Sequence, residues 1–231
     1  MRSFVIPDIG EIKLRKSARA KRIILKINHR GEPEVTVPKY VPYAIARSFV
    51  LSHTGWIKQQ RHEKAPRTFT DGQIIGRQHT MSFQTNDQPA VTSRVQNSVV
   101  TIRHHSDLDY TAANIQAAAY KAATRALKKE AEAHLPELLH QLATKHGYQY
   151  ASVSVKNMRT RWGSCSSSGV INLNIWLMQL PDELIHYVCC HELAHLHHPH
   201  HQSSFWQTVA TMVPDYKELR STLKQHHPHW T

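Results

Sequence analysis

Six histidines fall within "VCCHELAHLHHPHHQSSFW", Val188 to Trp206, and their spacing decides which of them can act together. His191, Glu192, Leu193, Ala194 and His195 spell H-E-x-x-H. On a helix, four residues advance about one turn plus 40° and about 6 Å, so both imidazoles converge on one face and can bind one tetrahedral Zn²⁺. Glu192 is rotated about 100° from His191. That places it to hydrogen-bond a water on the ion rather than the ion itself, so chelation and proton transfer fall to different residues. The flanks Tyr187, Val188, Leu193, Ala194 and Leu196 are too apolar for a solvated surface rod. Two histidines within such a helix call for a partner, and a metal supplies one.

A catalytic zinc takes a third protein ligand and keeps one position open. Pro199 is expected to end the helix at about His198. His197 lies about 200° around the helix from His195 and points away. His198 is about 10.5 Å along the axis from His191, too far to share its ion easily. The residues alone therefore leave His200 and His201.

The elements around this motif follow from pattern. "GEIKLRK", "RIILKIN" and "PEVTVP" alternate as strands, with "NHRGEP" as a turn. Pro42 opens a helix carrying Tyr43, Ile45, Phe49, Val50, Trp56 and Ile57. "QIIG", "HTMSFQT", "AVTSRV" and "SVVTIRH" are further strands. From Leu108 to about Leu135 the chain is Ala-rich and free of Gly and Pro, which predicts a long helix. Pro136 is expected to start the next segment and Gly147 to stop it. Strand "ASVSVKN", loop "MRTRWGSCSSSG" and strand "VINLNIWL" precede the motif helix, which Pro181 opens; "SSFWQTVATMV" and "PDYKELRSTLKQ" close the chain as helices. The fold class expected is α+β: a β-rich N-terminal region, 1–105, followed by an α+β domain, 106–231.

Composition narrows the functions available. No apolar run approaches the roughly 20 residues of a membrane span, and "MRSFVIPDIGEIKLR" has no apolar core for a signal peptide. Cys165, Cys189 and Cys190 form no disulfide framework, and they are expected to be packing residues. Both observations point to the cytoplasm and to no membrane partner. The net charge of +12 would attract nucleic acid at modest salt. The 29 Lys and Arg are nevertheless spread along the chain without a block of five or six, which favours a generally basic surface.

"HELAHLHHPHHQSSFW", with "RTRWGSCSSSGVINLNIWLMQLP" before it and "VPDYKELRSTL" after it, resembles the YgjP-like metal-dependent hydrolase family, distant relatives of the SprT-like and gluzincin zinc peptidases. The resemblance covers Asn157 to Leu223, with a weaker likeness in "VTVPKYVPYAIARSFVLSHTGWI". It implies that the second region is a zincin-like metallopeptidase domain with an H-E-x-x-H helix. It also implies His201 as third ligand, six residues after His195, although the family commonly has asparagine where this chain has His200. It marks "RWGSC" as important without giving it a step. Arg159 and Arg161 could steady a substrate carbonyl or oxyanion, or pair with a carboxylate to pin the loop.

The function expected is zinc-dependent hydrolysis of peptide bonds in a peptide or protein substrate. Zn²⁺ lowers the pKa of its water toward about 7, and Glu192 acts as general base. "VINLNIWL" is expected to offer an edge for an extended peptide. The alternatives are a nucleic-acid-associated protein that acts on DNA-bound proteins or uses zinc structurally, and a histidine-rich metal store. Glu192 speaks against a structural zinc, which needs no carboxylate beside its ligands and is expected to have a complete Cys/His tetrad; a metal store predicts several exchangeable ions and no hydrolysis. His226, His227 and His229 are expected to bind metal only adventitiously.

Overall fold

Ile12 and Leu14 are buried while Glu11, Lys13 and Arg15 between and beside them stay exposed, so period-two alternation sets the inner face of this strand. In the computed structural model, which describes residues 2–28, 32–63 and 68–227, it is β2 (Gly10–Ser17). β2 pairs antiparallel with β1 (Arg2–Ile6) and parallel with β4 (Pro33–Pro38), and β4 pairs antiparallel with β3 (Ile24–Ile27). Residues 29–31, the middle of the "NHRGEP" turn, lie outside the described residues. The buried residues of this sheet form one core with Ala46, Val50 and Ile57.

These last three lie on two helices, α1 (Tyr43–Ser52) and α2 (Thr54–Glu63), where the sequence predicts one. The break has a local cause. The ring Nδ1 of His53 lies 2.7 Å from the Phe49 carbonyl, while the His53 N–H turns to Val50 O at 3.0 Å.

The compact units of the chain part at 67/68, not at the compositional shift near 105. The reason is packing. β5 (Ile74–Ile75), β6 (His79–Asn86), β7 (Thr92–Gln96) and β8 (Val99–His105) form a sheet in the order β5-β6-β8-β7 whose core residues are continuous with those of the helix that follows. That helix is α3 (Ala113–His146). The buried carboxylate of Glu130 on α3 accepts the N–H groups of Arg77 (2.7 Å) and Gln78 (3.0 Å) and pairs with His79 at 2.5 Å. The β5–β6 turn is thereby anchored to the helix.

Pro136 lies inside α3 rather than starting a new helix. An interior proline costs a helix about 3 kcal/mol. Burial of Leu127, Ala131, Leu135, Leu139 and Leu142 along one face, on both sides of the proline, offsets it. Gly147 caps the helix C-terminus with φ 73°, as expected.

The last layer positions the motif. β9 (Ser152–Lys156), β10 (Gly163–Cys165) and β11 (Val170–Asn174) form a sheet in the order β10-β11-β9. "IWL" is not a continuation of the strand but begins a buried 3-10 helix, Ile175–Gln179. β11 is central, so the edge expected of it belongs instead to β10, a three-residue strand too short and polar for alternation to reveal. α4 (Asp182–Ala194), α5 (Ser203–Met212) and α6 (Tyr216–Leu223) complete a mixed α+β architecture. No helix among the described residues is long and apolar enough to cross a membrane.

Candidate functional site

α4 carries Asp182 and Glu183 in its first turn, where negative charge is favoured, and buries most of its length. His195 is its C-terminal cap with φ −65° and ψ −18°, so the helical path continues far enough for His191 and His195 to share a face. Their ring centroids are 4.9 Å apart. The helix ends earlier than expected, at Ala194, and a turn carries the chain on: the His197 and His198 N–H groups both donate to Ala194 O. Past Pro199 the chain returns and brings His201 Nε2 to 3.1 Å from His191 Nε2.

One ligand atom from each of His191, His195 and His201 lies within 4.8 Å of the others. Two nitrogens sharing a tetrahedral ion at about 2.0 Å would be roughly 3.3 Å apart, close to the His191–His201 separation. His195 Nδ1 lies 3.0 Å from the His198 carbonyl, which fixes it as the N–H and leaves Nε2 with a lone pair. Two buried atoms at the cluster, His191 Nδ1 and Glu192 Oε2, have no hydrogen-bond partner among the described residues. The donor set therefore fits a divalent metal.

Burial depresses all three imidazoles. His191 is pushed down to about 3 by burial, then by His195, His201 and the Arg220 guanidinium. His201 is lowered by burial and by the same kind of neighbours, and His195 by burial against the opposing pull of the His198 carbonyl. Neutral imidazole is the form that binds metal. Glu192, 5% exposed, is pushed up to about 8 by burial, and the Arg161 guanidinium draws it back.

The other histidines are elsewhere. His197 packs its ring against Tyr148, with centroids 5.1 Å apart, and His198 contributes its carbonyl to His195. His200 is exposed and outside the cluster. His229 lies outside the described residues.

A cleft of about 540 Å³ joins the histidines to the loop before β11. Arg161, Gly163, Ser164, Cys165, Glu192 and His195 are among its walls. Arg161 is thus brought to the site, while Arg159 is exposed and does not line the cleft. Cys189 and Cys190 are core residues as expected, but Cys165 lines the cleft, with its thiol raised by burial and by Glu192.

Two residues here were not read from the sequence. The fully buried Asn174 side chain donates to Met158 O (2.7 Å) and Arg161 O (2.8 Å) and accepts from Met158 N and Trp176 N (3.3 Å each). An asparagine, rather than an arginine–carboxylate pair, pins this loop. Its signal was a polar residue closing the alternation "VINLN" ahead of an apolar run. Gly163 is the other: a Cβ there would lie 2.5 Å from Glu192 Oε1, so only glycine lets β10 pass this close to the carboxylate. The glycine in "RWGSC" carried that signal.

The family model described as YgjP-like, metallopeptidase domain, matches residues 21–226. Among solved structures, the chain is similar to the metallopeptidase zymogen abylysin of Pyrococcus abyssi, with 28% identity and a TM-score of 0.36, over 39% of this chain and 93% of that one. It is also similar to the metallopeptidase zymogen jannalysin of Methanocaldococcus jannaschii, with 18% identity and a TM-score of 0.36, over 39% and 94%. No curated protein matches the chain.

Proposed function

From the premise that the chain belongs to the YgjP-like metallopeptidase-domain family, we propose that it is a zinc-dependent hydrolase of peptide bonds, built on a zincin-like domain. His191, His195 and His201 hold the metal and Glu192 is the general base. The observation that carries this reading is the pairing of a His triad with a buried carboxylate facing the same cleft. A structural metal site needs no such base.

A divalent ion held by the triad supplies Lewis acidity to a water and to the scissile carbonyl. Glu192 takes a proton from the attacking water as its oxygen joins the carbonyl carbon, then delivers that proton to the nitrogen as the C–N bond breaks. Burial strengthens Glu192 as a base, and Arg161 favours its ionised form. Arg161 is also placed on the cleft wall to meet negative charge on the substrate carbonyl. The free edge of β10, which lines the cleft, is available to an extended peptide through main-chain hydrogen bonds.

The test is incubation of the zinc-loaded protein with unfolded and with DNA-bound protein substrates, beside Glu192→Gln. The variant should fold and bind zinc like the wild type and lose hydrolysis by about 10² or more, because an amide cannot accept the proton. Equal activity of the two would sink the mechanism.

A further inference from the structure

His201 is the one member of the triad that no helix holds, since it sits in the turn between α4 and α5 and is exposed. An exposed loop side chain has several rotamers open to it, and ordering it costs conformational entropy. The surroundings restrict that freedom. Trp206, one turn into α5, donates its indole N–H to the His201 carbonyl at 3.2 Å. The same indole stacks on the His201 imidazole, with centroids 5.5 Å apart and planes inclined by 22°.

Trp206 is itself held from α6. The Tyr216 ring stacks on it at 5.4 Å and 14°, and the Arg220 guanidinium lies 4.4 Å from the indole centroid. Phe205, fully buried, meets Trp206 edge-on at 4.9 Å and fixes it from the core side. Backbone and ring of His201 are therefore both gripped by one side chain, which two helices orient.

Building on the metal site proposed above, we propose that Trp206 is a positioning residue for the third ligand: its indole holds His201 in the ligating rotamer, and Tyr216 and Arg220 hold the indole. Outer groups that orient a metal ligand are commonly worth 10-fold to 100-fold in metal affinity. The loop ligand is where such support matters most, because His191 and His195 are already placed by α4.

The experiment measures zinc affinity of the full chain by competition with a chromophoric chelator, and the visible absorption of the Co²⁺-loaded protein. Wild type, Trp206→Ala and Trp206→Phe are compared, with the metal-free melting temperature of each. Trp206→Ala should lose about tenfold or more in zinc affinity and shift the Co²⁺ bands. Trp206→Phe, which keeps a ring but no N–H donor, should fall between. A merely structural role predicts a lower metal-free melting temperature in both variants with affinity and Co²⁺ spectrum unchanged, and that result overturns the proposal. Trp206→Phe decides the matter by itself should the alanine variant fail to fold: wild-type affinity and spectrum in it overturn the proposal. A wild type that takes up neither ion would instead defeat the metal-site reading on which this rests.

Discussion

A Cβ on Gly163 would lie 2.5 Å from Glu192 Oε1 and 2.7 Å from its Cγ, so strand β10 and the carboxylate of α4 leave no room between them for even a methyl group. Gly163→Ala must move one of the two. If the carboxylate yields, zinc binding should survive, because the nearest atoms the added Cβ would meet all belong to Glu192 and none to the triad, and hydrolysis should fall by up to about 10², the usual consequence of misplacing a catalytic group by about 1 Å. Paired measurements of zinc content and turnover check this, and full turnover in the alanine variant would contradict it.

Alanine at His195 or His201 should weaken zinc retention by orders of magnitude, since a site of this kind has only three protein ligands. Alanine at His198 or His200 should leave it nearly unchanged, His198 because only its carbonyl is used. Zinc remaining after dialysis against a weak chelator is the readout. Loss in His200→Ala with retention in His201→Ala would reassign the third ligand.

Asn174→Ala takes this side-chain partner from the part-buried Met158 and Arg161 carbonyls and from the Met158 and Trp176 N–H groups. A cost of about 1–3 kcal/mol in unfolding free energy is expected for groups stranded this way. Chemical denaturation measures it. A change inside experimental error would show that the loop finds other partners.

His186 on α4 has its pKa lowered by burial, then by Lys145 and His146, with Asp215 opposing. The folded protein therefore resists protonation that the unfolded chain accepts at about 6.5. Stability contributed above pH 6.5 should be lost as pH falls through the lower folded value. Denaturation midpoints of the metal-free protein between pH 7 and 5 should decline more steeply in wild type than in His186→Leu. Parallel curves would remove His186 as a source of the slope.

Spacing made the His191–Glu192–His195 geometry legible because a helix converts sequence offsets directly into angles. The same rule overreached past Ala194: it treated His197 and His198 as helical, and their displacement from the triad rests instead on a turn, a Tyr148 contact and a carbonyl. His201 could not be reached by helical arithmetic and came from family likeness. Gly163 and Asn174 act through residues far away in sequence, or through backbone that passes close by, and such contacts leave no periodic trace. The break at 67/68 was hidden for a related reason. Composition changes where strand gives way to helix, whereas cores are divided by which surfaces meet.

α3, 34 residues and about 51 Å long, packs on β7 and β8 of one sheet and also on β9, the 3-10 helix and α4. Neither sheet of residues 68–230 can shed its neighbour without stripping this common beam. Amides of β8 and of α4 should accordingly exchange their hydrogens with solvent in a single concerted opening, and a wedge driven into the helix at Ala122 or Ala123, far along the beam from the histidines, should speed exchange at both.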